Sequence, residues 1–177
     1  MILFHRKSSA SADFACGPDI LYEILTDYDS YKEWMPDVTE SALLAKEGEL
    51  AIASLDFGSG DSRRVALECI HTTNRGVLSR AIEGETLIKS LDWNIEAAGG
   101  GARLTLVVEA PVQAAISGGG GLPGPKEMLE GLRAFASAFS DSGAAPDAQT
   151  VIEIVETEKG LVCWFNGRQY EMKPVVK

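Results

Sequence analysis

Three charged residues in the predicted strands have side chains that could do acid–base chemistry: Glu68, Arg80 and Asp92. Glu68 alternates with apolar neighbours, and Asp92 comes directly before Trp93. A carboxylate held in an apolar interior can act as a general acid or base, and Arg80 could pair with Glu68 to orient a ligand's oxygen. We take the three as polar candidates for a cavity wall. The alternative is that they face solvent, since a register shift of one residue exchanges the two faces of a strand.

Nucleophilic and metal chemistry is not favoured by the sequence. A Ser–His–acid arrangement needs a positioned base, and the histidines lie in a terminal strand (His5) and at a strand end (His71). The cysteines Cys16, Cys69 and Cys163 are far apart and form no C-x-x-C pair. We therefore predict no catalytic nucleophile, no zinc site and no cofactor.

A glycine-rich segment, 117–125 (SGGGGLPGP), precedes the strongest helix pattern and resembles a phosphate-binding loop only in composition. The Walker A pattern requires a Lys and a hydroxyl residue directly after its last Gly. Here Pro125 follows Gly124, and proline lacks the N–H that a phosphate would need. We interpret the segment as a hinge or a flap over a cavity.

Short helices are predicted near the N-terminus, before most of the strands. Pro18 suits the first turn of a helix. Four apolar residues then repeat at the spacing of one helix face: Leu21, Ile24, Leu25 and Tyr28. Ser30 and Glu33 have the spacing of a capping box, which predicts a second short helix that Pro36 ends.

Strands and one long helix make up most of the remaining chain. A first strand is predicted at 2–14, and six more form an antiparallel meander at 38–44, 49–57, 64–72, 77–82, 86–97 and 103–110. The helix Lys126–Phe139 has an apolar stripe that can cover a sheet, formed by Met128, Leu129, Leu132, Phe135, Ala136 and Phe139.

The segment from Pro18 to Val38 resembles the opening of a known superfamily. Its PDI, ILTDY and WMPDV stretches are similar to those of the START-like helix-grip (SRPBCC) superfamily, in its coenzyme Q-binding and polyketide cyclase/dehydrase branch. Leu91–Ile95 (LDWNI) resembles a late strand of that group. The resemblance covers about residues 1–140. It implies an α+β fold in which a curved antiparallel sheet grips a long C-terminal helix, with an apolar cavity between them.

The resemblance also implies a function, namely binding of a hydrophobic small molecule such as a lipid, a quinone or a polyketide. The side chains that we expect to line the cavity are Trp34, Met35, Phe57, Trp93, Met128, Leu132 and Phe135. Core packing is the alternative role for the same residues. Some relatives are cyclases or dehydratases, whereas many only bind, and no residue here requires catalysis. We expect a non-catalytic binder, with a cyclase or dehydratase using cavity carboxylates and a protein-interaction module as alternatives.

The bulk charge is acidic, with a formal net charge of −10 and a pI of about 4.7. Such a surface repels nucleic-acid phosphates and anionic lipid headgroups, so we expect neither as a partner. No run of 18 apolar residues is present, and the first residues do not read as a secretory signal. With an odd number of scattered cysteines, we expect a cytoplasmic protein without integral membrane association.

The end of the chain changes character. We divide the sequence into a helix-grip domain at 1–140, a linker at 141–149 and a β-meander at 150–177. Asn166–Gly167 is typical of a type I′ hairpin turn. Three short strands are marginally stable alone. We therefore expect the tail to pack on the main domain or on a second copy of the chain, in which case it could form a homodimer.

Overall fold

The computed structural model describes residues 5–58, 63–84, 87–111, 122–141, 152–157, 160–165 and 168–171. The chain divides into two compact units, Met1–Ala138 and Phe139–Lys177. The predicted hinge residues before 122 and the predicted linker residues after 141 lie outside the described residues. In the described part, no helix is both long and apolar enough to cross a membrane.

The first unit contains a seven-stranded antiparallel sheet. Its strands are β1 (His5–Phe14), β2 (Val38–Glu47), β3 (Leu50–Phe57), β4 (Arg64–Thr72), β5 (Gly76–Glu83), β6 (Ser90–Ala98) and β7 (Gly101–Pro111). The order is β1-β7-β6-β5-β4-β3-β2, so β1 closes onto the last strand of the meander. The predicted antiparallel arrangement is confirmed.

Two strand boundaries within the described residues differ from the prediction by three residues or more. The predicted strand at 86–97 begins only at Ser90, because the Leu87 N–H donates to the Gly84 carbonyl in a turn. Strand β2 extends to Glu47, past its predicted end at residue 44. Register irregularities after Val38 and after Leu43 allow it to stay paired with β3 over this length.

The helices are α1 (Pro18–Thr26), a 3₁₀ turn (Tyr28–Ser30), α2 (Tyr31–Trp34) and α3 (Pro125–Asp141), and all but the last three residues of α3 belong to the first unit. Pro18 occupies the first turn of α1, as predicted. The predicted capping box is wrong, because the Ser30 hydroxyl donates to Asp27 Oδ2 at 2.6 Å and makes no cap to α2.

Helix α3 approaches the chain at two places, the end of β1 and the end of α2. Arg133 Nη2 donates to the Asp13 carbonyl at 2.6 Å, and its guanidinium lies 6.0 Å from the centre of the Phe14 ring. On another turn, the backbone at Gly131 lies so close to the Trp34 carbonyl that a Cβ would come within 2.2 Å of it. The buried stripe is the predicted one for Met128, Leu129, Leu132 and Ala136.

The second unit contains a three-stranded antiparallel sheet in the order β10-β9-β8. Its strands are β8 (Ile152–Thr157), β9 (Gly160–Phe165) and β10 (Arg168–Glu171). The predicted turn Asn166–Gly167 falls outside the described residues. Both β8 and β10 are edge strands of this sheet.

Candidate functional site

Two tryptophans meet in the interior of the first unit. Trp34 ends α2, and Trp93 lies on the inner face of β6, where it alternates with the outward Asp92 and Asn94. The ring centroids are 5.9 Å apart with an interplanar angle of 77°, which is an edge-to-face contact. The side chains are only 5% and 1% exposed. These two residues were nominated by the sequence, and the structure brings them together.

The other residues predicted to line a cavity are also on the inner side. Met35, Phe57, Met128 and Leu132 are buried, and Phe135 is half-buried. Their burial agrees with the core role that we left open for them. Contact with a ligand is a proposal that we take up below.

The three charged candidates lie on the opposite face of the sheet. Glu68 and Arg80 stand directly across from each other on β4 and β5, and Asp92 stands across from Leu78. Their neighbours along the strands are buried, apart from the half-buried Ala81, so alternation turns these three side chains outward. Arg80 is exposed and Glu68 and Asp92 are half-buried, so their placement favours the solvent-facing alternative over a polar patch inside a cavity.

A buried polar cluster that the sequence analysis missed lies on the inner face of β4 and β5. The Tyr28 hydroxyl and His71 Nε2 are hydrogen-bonded at 2.6 Å. Ser79 Oγ donates to Cys69 Sγ at 3.3 Å. All four side chains are at most 3% exposed. The signal was present in the sequence, because His71 continues the inward alternation of Cys69 and its predecessors in β4.

Burial keeps this cluster uncharged at neutral pH. It raises the pKa of the Tyr28 phenol well above its usual range, and it also raises the pKa of the Cys69 thiol. It lowers the pKa of His71, with a further lowering from Lys46 that Glu49 partly opposes. A neutral imidazole hydrogen-bonded to a neutral phenol can exchange a proton with a bound molecule, which is the basis of general acid–base chemistry.

A chain of ring contacts joins the cluster to the two tryptophans. Tyr28 lies 5.4 Å from Tyr31, and Tyr31 lies 4.6 Å from Trp34, measured between ring centroids. The Tyr31 hydroxyl donates to the Leu25 carbonyl at 2.6 Å and is therefore satisfied. The polar cluster and the indole pair thus belong to one aromatic-rich interior.

The lowered pKa of His71 predicts a pH dependence of stability. The unfolded chain protonates this residue below about pH 6.5, whereas the folded protein keeps it neutral to lower pH. The unfolded state then binds more protons, so the free energy of unfolding falls as the pH falls below about 6.5, with a slope of at most about 1.4 kcal/mol per pH unit from this residue.

Denaturant unfolding between about pH 5 and pH 8 measures this effect. His71→Gln should flatten the curve between about pH 6.5 and pH 5. Asp13 and Glu109, whose pKa values are lowered by Arg103 and by Lys89 respectively, remain in both proteins and supply a common background. Parallel curves for the two proteins in this window would contradict the assignment.

A groove of about 770 Å³ opens to solvent beside the first turn of α1. Its walls include Asp19, Arg75 and the β6 residues 94–97. It is bordered by none of the residues that we expected to line a cavity, so it is separate from the aromatic interior. The described residues contain no group of three or more His, Cys, Asp or Glu side chains that could ligate a metal ion.

Comparison with known families gives one match over most of the chain. Residues 5–142 match the family model described as polyketide cyclase / dehydrase and lipid transport. No curated protein matches the sequence.

Several solved structures share the fold. StfQ, the di-domain ARO/CYC protein of the steffimycin pathway, is 14% identical with a TM-score of 0.60, over 77% of this chain and 52% of StfQ. This chain thus spans about half of that relative. The STAR-related lipid transfer protein of Xanthomonas axonopodis is 20% identical with a TM-score of 0.57, over 75% and 86% of the two chains. The Zhui aromatase/cyclase of Streptomyces sp. R1128 is 18% identical with a TM-score of 0.52, over 78% and 88%. The predicted α+β helix-grip fold is confirmed by these similarities, which concern the fold alone.

Proposed function

This chain belongs to the polyketide cyclase / dehydrase and lipid transport family, and from that premise we propose that its first unit binds a hydrophobic small molecule between the sheet and α3. The ligand classes are those that the sequence led us to expect: a lipid, a quinone or a polyketide-like ring. Neighbours of this fold include a lipid transfer protein and an aromatase/cyclase by name. Binding rather than turnover is the function that the geometry supports best.

The observation that carries the proposal is on the inner face of the edge strand β1. Ala10 and Ala12 alternate toward the same side as the buried Phe14, yet both are only half-buried. Leu106, which pairs with Ala10 from β7, is fully buried. Small side chains therefore leave the concave face accessible at this edge, and Phe135 of α3 is half-buried as well. A mostly apolar wall with one accessible side suits a ligand cleft.

The proposed lining is the set that the sequence nominated. Aromatic and thioether side chains provide a large apolar contact area and can adjust to a ligand's shape. The set is Trp34, Met35, Phe57, Trp93, Met128, Leu132 and Phe135.

A second candidate function is a cyclase or dehydratase, and the Tyr28–His71 pair favours it. The carboxylates Glu68 and Asp92 alternate with inward neighbours, so we assign the chemistry of this alternative to the buried pair instead. A neutral His71 could accept a proton from an activated carbon of a ligand, while the Tyr28 phenol could donate one to an oxygen. Loss of turnover with unchanged affinity in Tyr28→Phe, once a substrate is known, would distinguish this enzyme from a binder.

The small sheet of the second unit is a candidate for self-association. Strands of four to six residues in a three-stranded sheet are marginal alone, and their edges can recruit another strand. We propose that residues 150–177 mediate self-association.

A reducing, cytoplasmic location is also proposed, since Cys16 and Cys69 are both free thiols.

Native mass spectrometry of the full-length protein, purified without detergent, tests the ligand binding and the self-association together. We expect an added small-molecule mass that disappears under denaturing conditions, and a dimer that becomes a liganded monomer when the chain is ended at residue 146. Protein that is purified without a ligand is incubated with a panel of fatty acids, quinones and aromatic polyketides and measured again. Protein that neither carries nor takes up any member of the panel would contradict the binding function, and a full-length monomer at all concentrations would contradict the role of the tail.

A further inference from the structure

Two buried hydrogen-bond donors have no partner in the described part of the protein. They are the indole N–H groups of Trp34 and Trp93. Native proteins leave few buried donors unpaired, because each such group loses its hydrogen bonds to water and gains nothing in return. The two unpaired indoles are in contact with each other, with ring centroids 5.9 Å apart, so they form one local feature of the interior.

The neighbouring polar side chains make hydrogen bonds to groups other than these indoles. The Tyr31 hydroxyl donates to the Leu25 carbonyl. Tyr28 and His71 are hydrogen-bonded to each other. The two indole N–H groups are therefore donors without an acceptor among the described residues, in side chains that are 5% and 1% exposed to solvent.

We infer that the ligand of this interior presents a neutral carbonyl oxygen, of the ketone or quinone type, to the indole N–H groups of Trp34 and Trp93. This inference rests on the proposed binding function and narrows its ligand class. A carbonyl oxygen only accepts hydrogen bonds, so it matches two groups that only donate. A hydroxyl would bring a donor that itself needs an acceptor. A carboxylate would bring a charge into an interior whose burial disfavours charged groups.

A pair of ligands of nearly equal shape tests the inference, namely 9-fluorenone and fluorene, which differ by one carbonyl oxygen. Their dissociation constants are measured with the full-length protein by displacement of Nile red. The same titrations are made with Trp34→Phe and with Trp93→Phe. A second version replaces each tryptophan by benzothienylalanine, in which sulfur stands in place of the N–H, so the ring size is kept if the phenylalanine variants fail to fold.

The ratio of the dissociation constants of fluorene and fluorenone tests whether the indole N–H groups bind the carbonyl oxygen. We expect removal of one N–H to reduce the preference for fluorenone over fluorene by roughly threefold to tenfold, the effect of one net hydrogen bond. A change in apolar contact affects fluorenone and fluorene alike, so it cancels in this ratio and leaves the contribution of the N–H group. The thermal stability of the benzothienylalanine proteins should be equal or higher, because an unpaired donor is removed.

The outcomes separate this inference from the function on which it rests. A preference for fluorenone that is unchanged in all substituted proteins would overturn the inference. So would uptake of Nile red or of fatty acids by a protein that binds fluorene and fluorenone equally, although the binding function would then stand. Failure to bind any of these compounds would overturn both.

Discussion

Replacing Gly131 with alanine is expected to lower the free energy of unfolding by about 2 kcal/mol, because the added methyl group overpacks the interface between α3 and the end of α2. A Cβ at this position would lie 2.2 Å from the Trp34 carbonyl oxygen and 3.3 Å from Pro36 Cδ. The nearest atom belongs to the backbone, so it cannot move away by changing a rotamer. The helix itself must shift away from Trp34.

Helix propensity acts in the opposite direction, which makes the sign of the effect informative. In an exposed helix interior, alanine is more favourable than glycine by about 1 kcal/mol. Ala134 lies on the exposed side of the same helix, so Ala134→Gly is the matched control for propensity alone and should cost about 1 kcal/mol. Urea unfolding followed by circular dichroism measures both variants. A Gly131→Ala protein as stable as the parent, or more stable, would show that α3 does not pack against Trp34 in this way.

The sequence predicted most of the helices and strands because each depends on a repeated pattern, whereas their helix-grip arrangement was implied by the resemblance of residues 18–38 to a known superfamily. The stripe of α3 predicted the buried Met128, Leu129 and Leu132, and strand alternation predicted that Leu67 and Cys69 share one face of their strand. Each of these patterns contains several residues, so one irregular position does not change the conclusion. The strand boundary at Ser90 failed because it depends on a single local turn at Gly84.

The polar part of the site could not be predicted in the same way. Glu68 was nominated for its chemistry, but it alternates with Leu67 and Cys69, which the structure turns inward. His71 has the parity of Cys69 but was assigned to a strand end. Its partner Tyr28 comes from a distant 3₁₀ turn, and no local pattern indicates that contact. The contact between Trp34 and Trp93 is also a result of tertiary packing.

The second prediction with a large effect concerns access to the interior at β1. Ala10→Trp should fill the space at the accessible edge of the concave face, because Ala10 faces inward and is only half-buried. We expect affinity for an apolar ligand to fall by roughly tenfold or more, since a tenfold change corresponds to only about 1.4 kcal/mol of lost contact. Ser9→Trp is the matched control, because Ser9 is exposed and alternates to the outer face of the same strand.

The central claim is that a hydrophobic ligand binds between the sheet and α3, and the most direct test is a titration of three full-length proteins with Nile red. The parent and Ser9→Trp should bind the dye with dissociation constants within about twofold of each other, and Ala10→Trp should bind it at least about tenfold more weakly. Circular dichroism confirms that all three are folded. Equal affinity of a folded Ala10→Trp protein, or the same loss in both variants, would contradict a ligand site on the concave face.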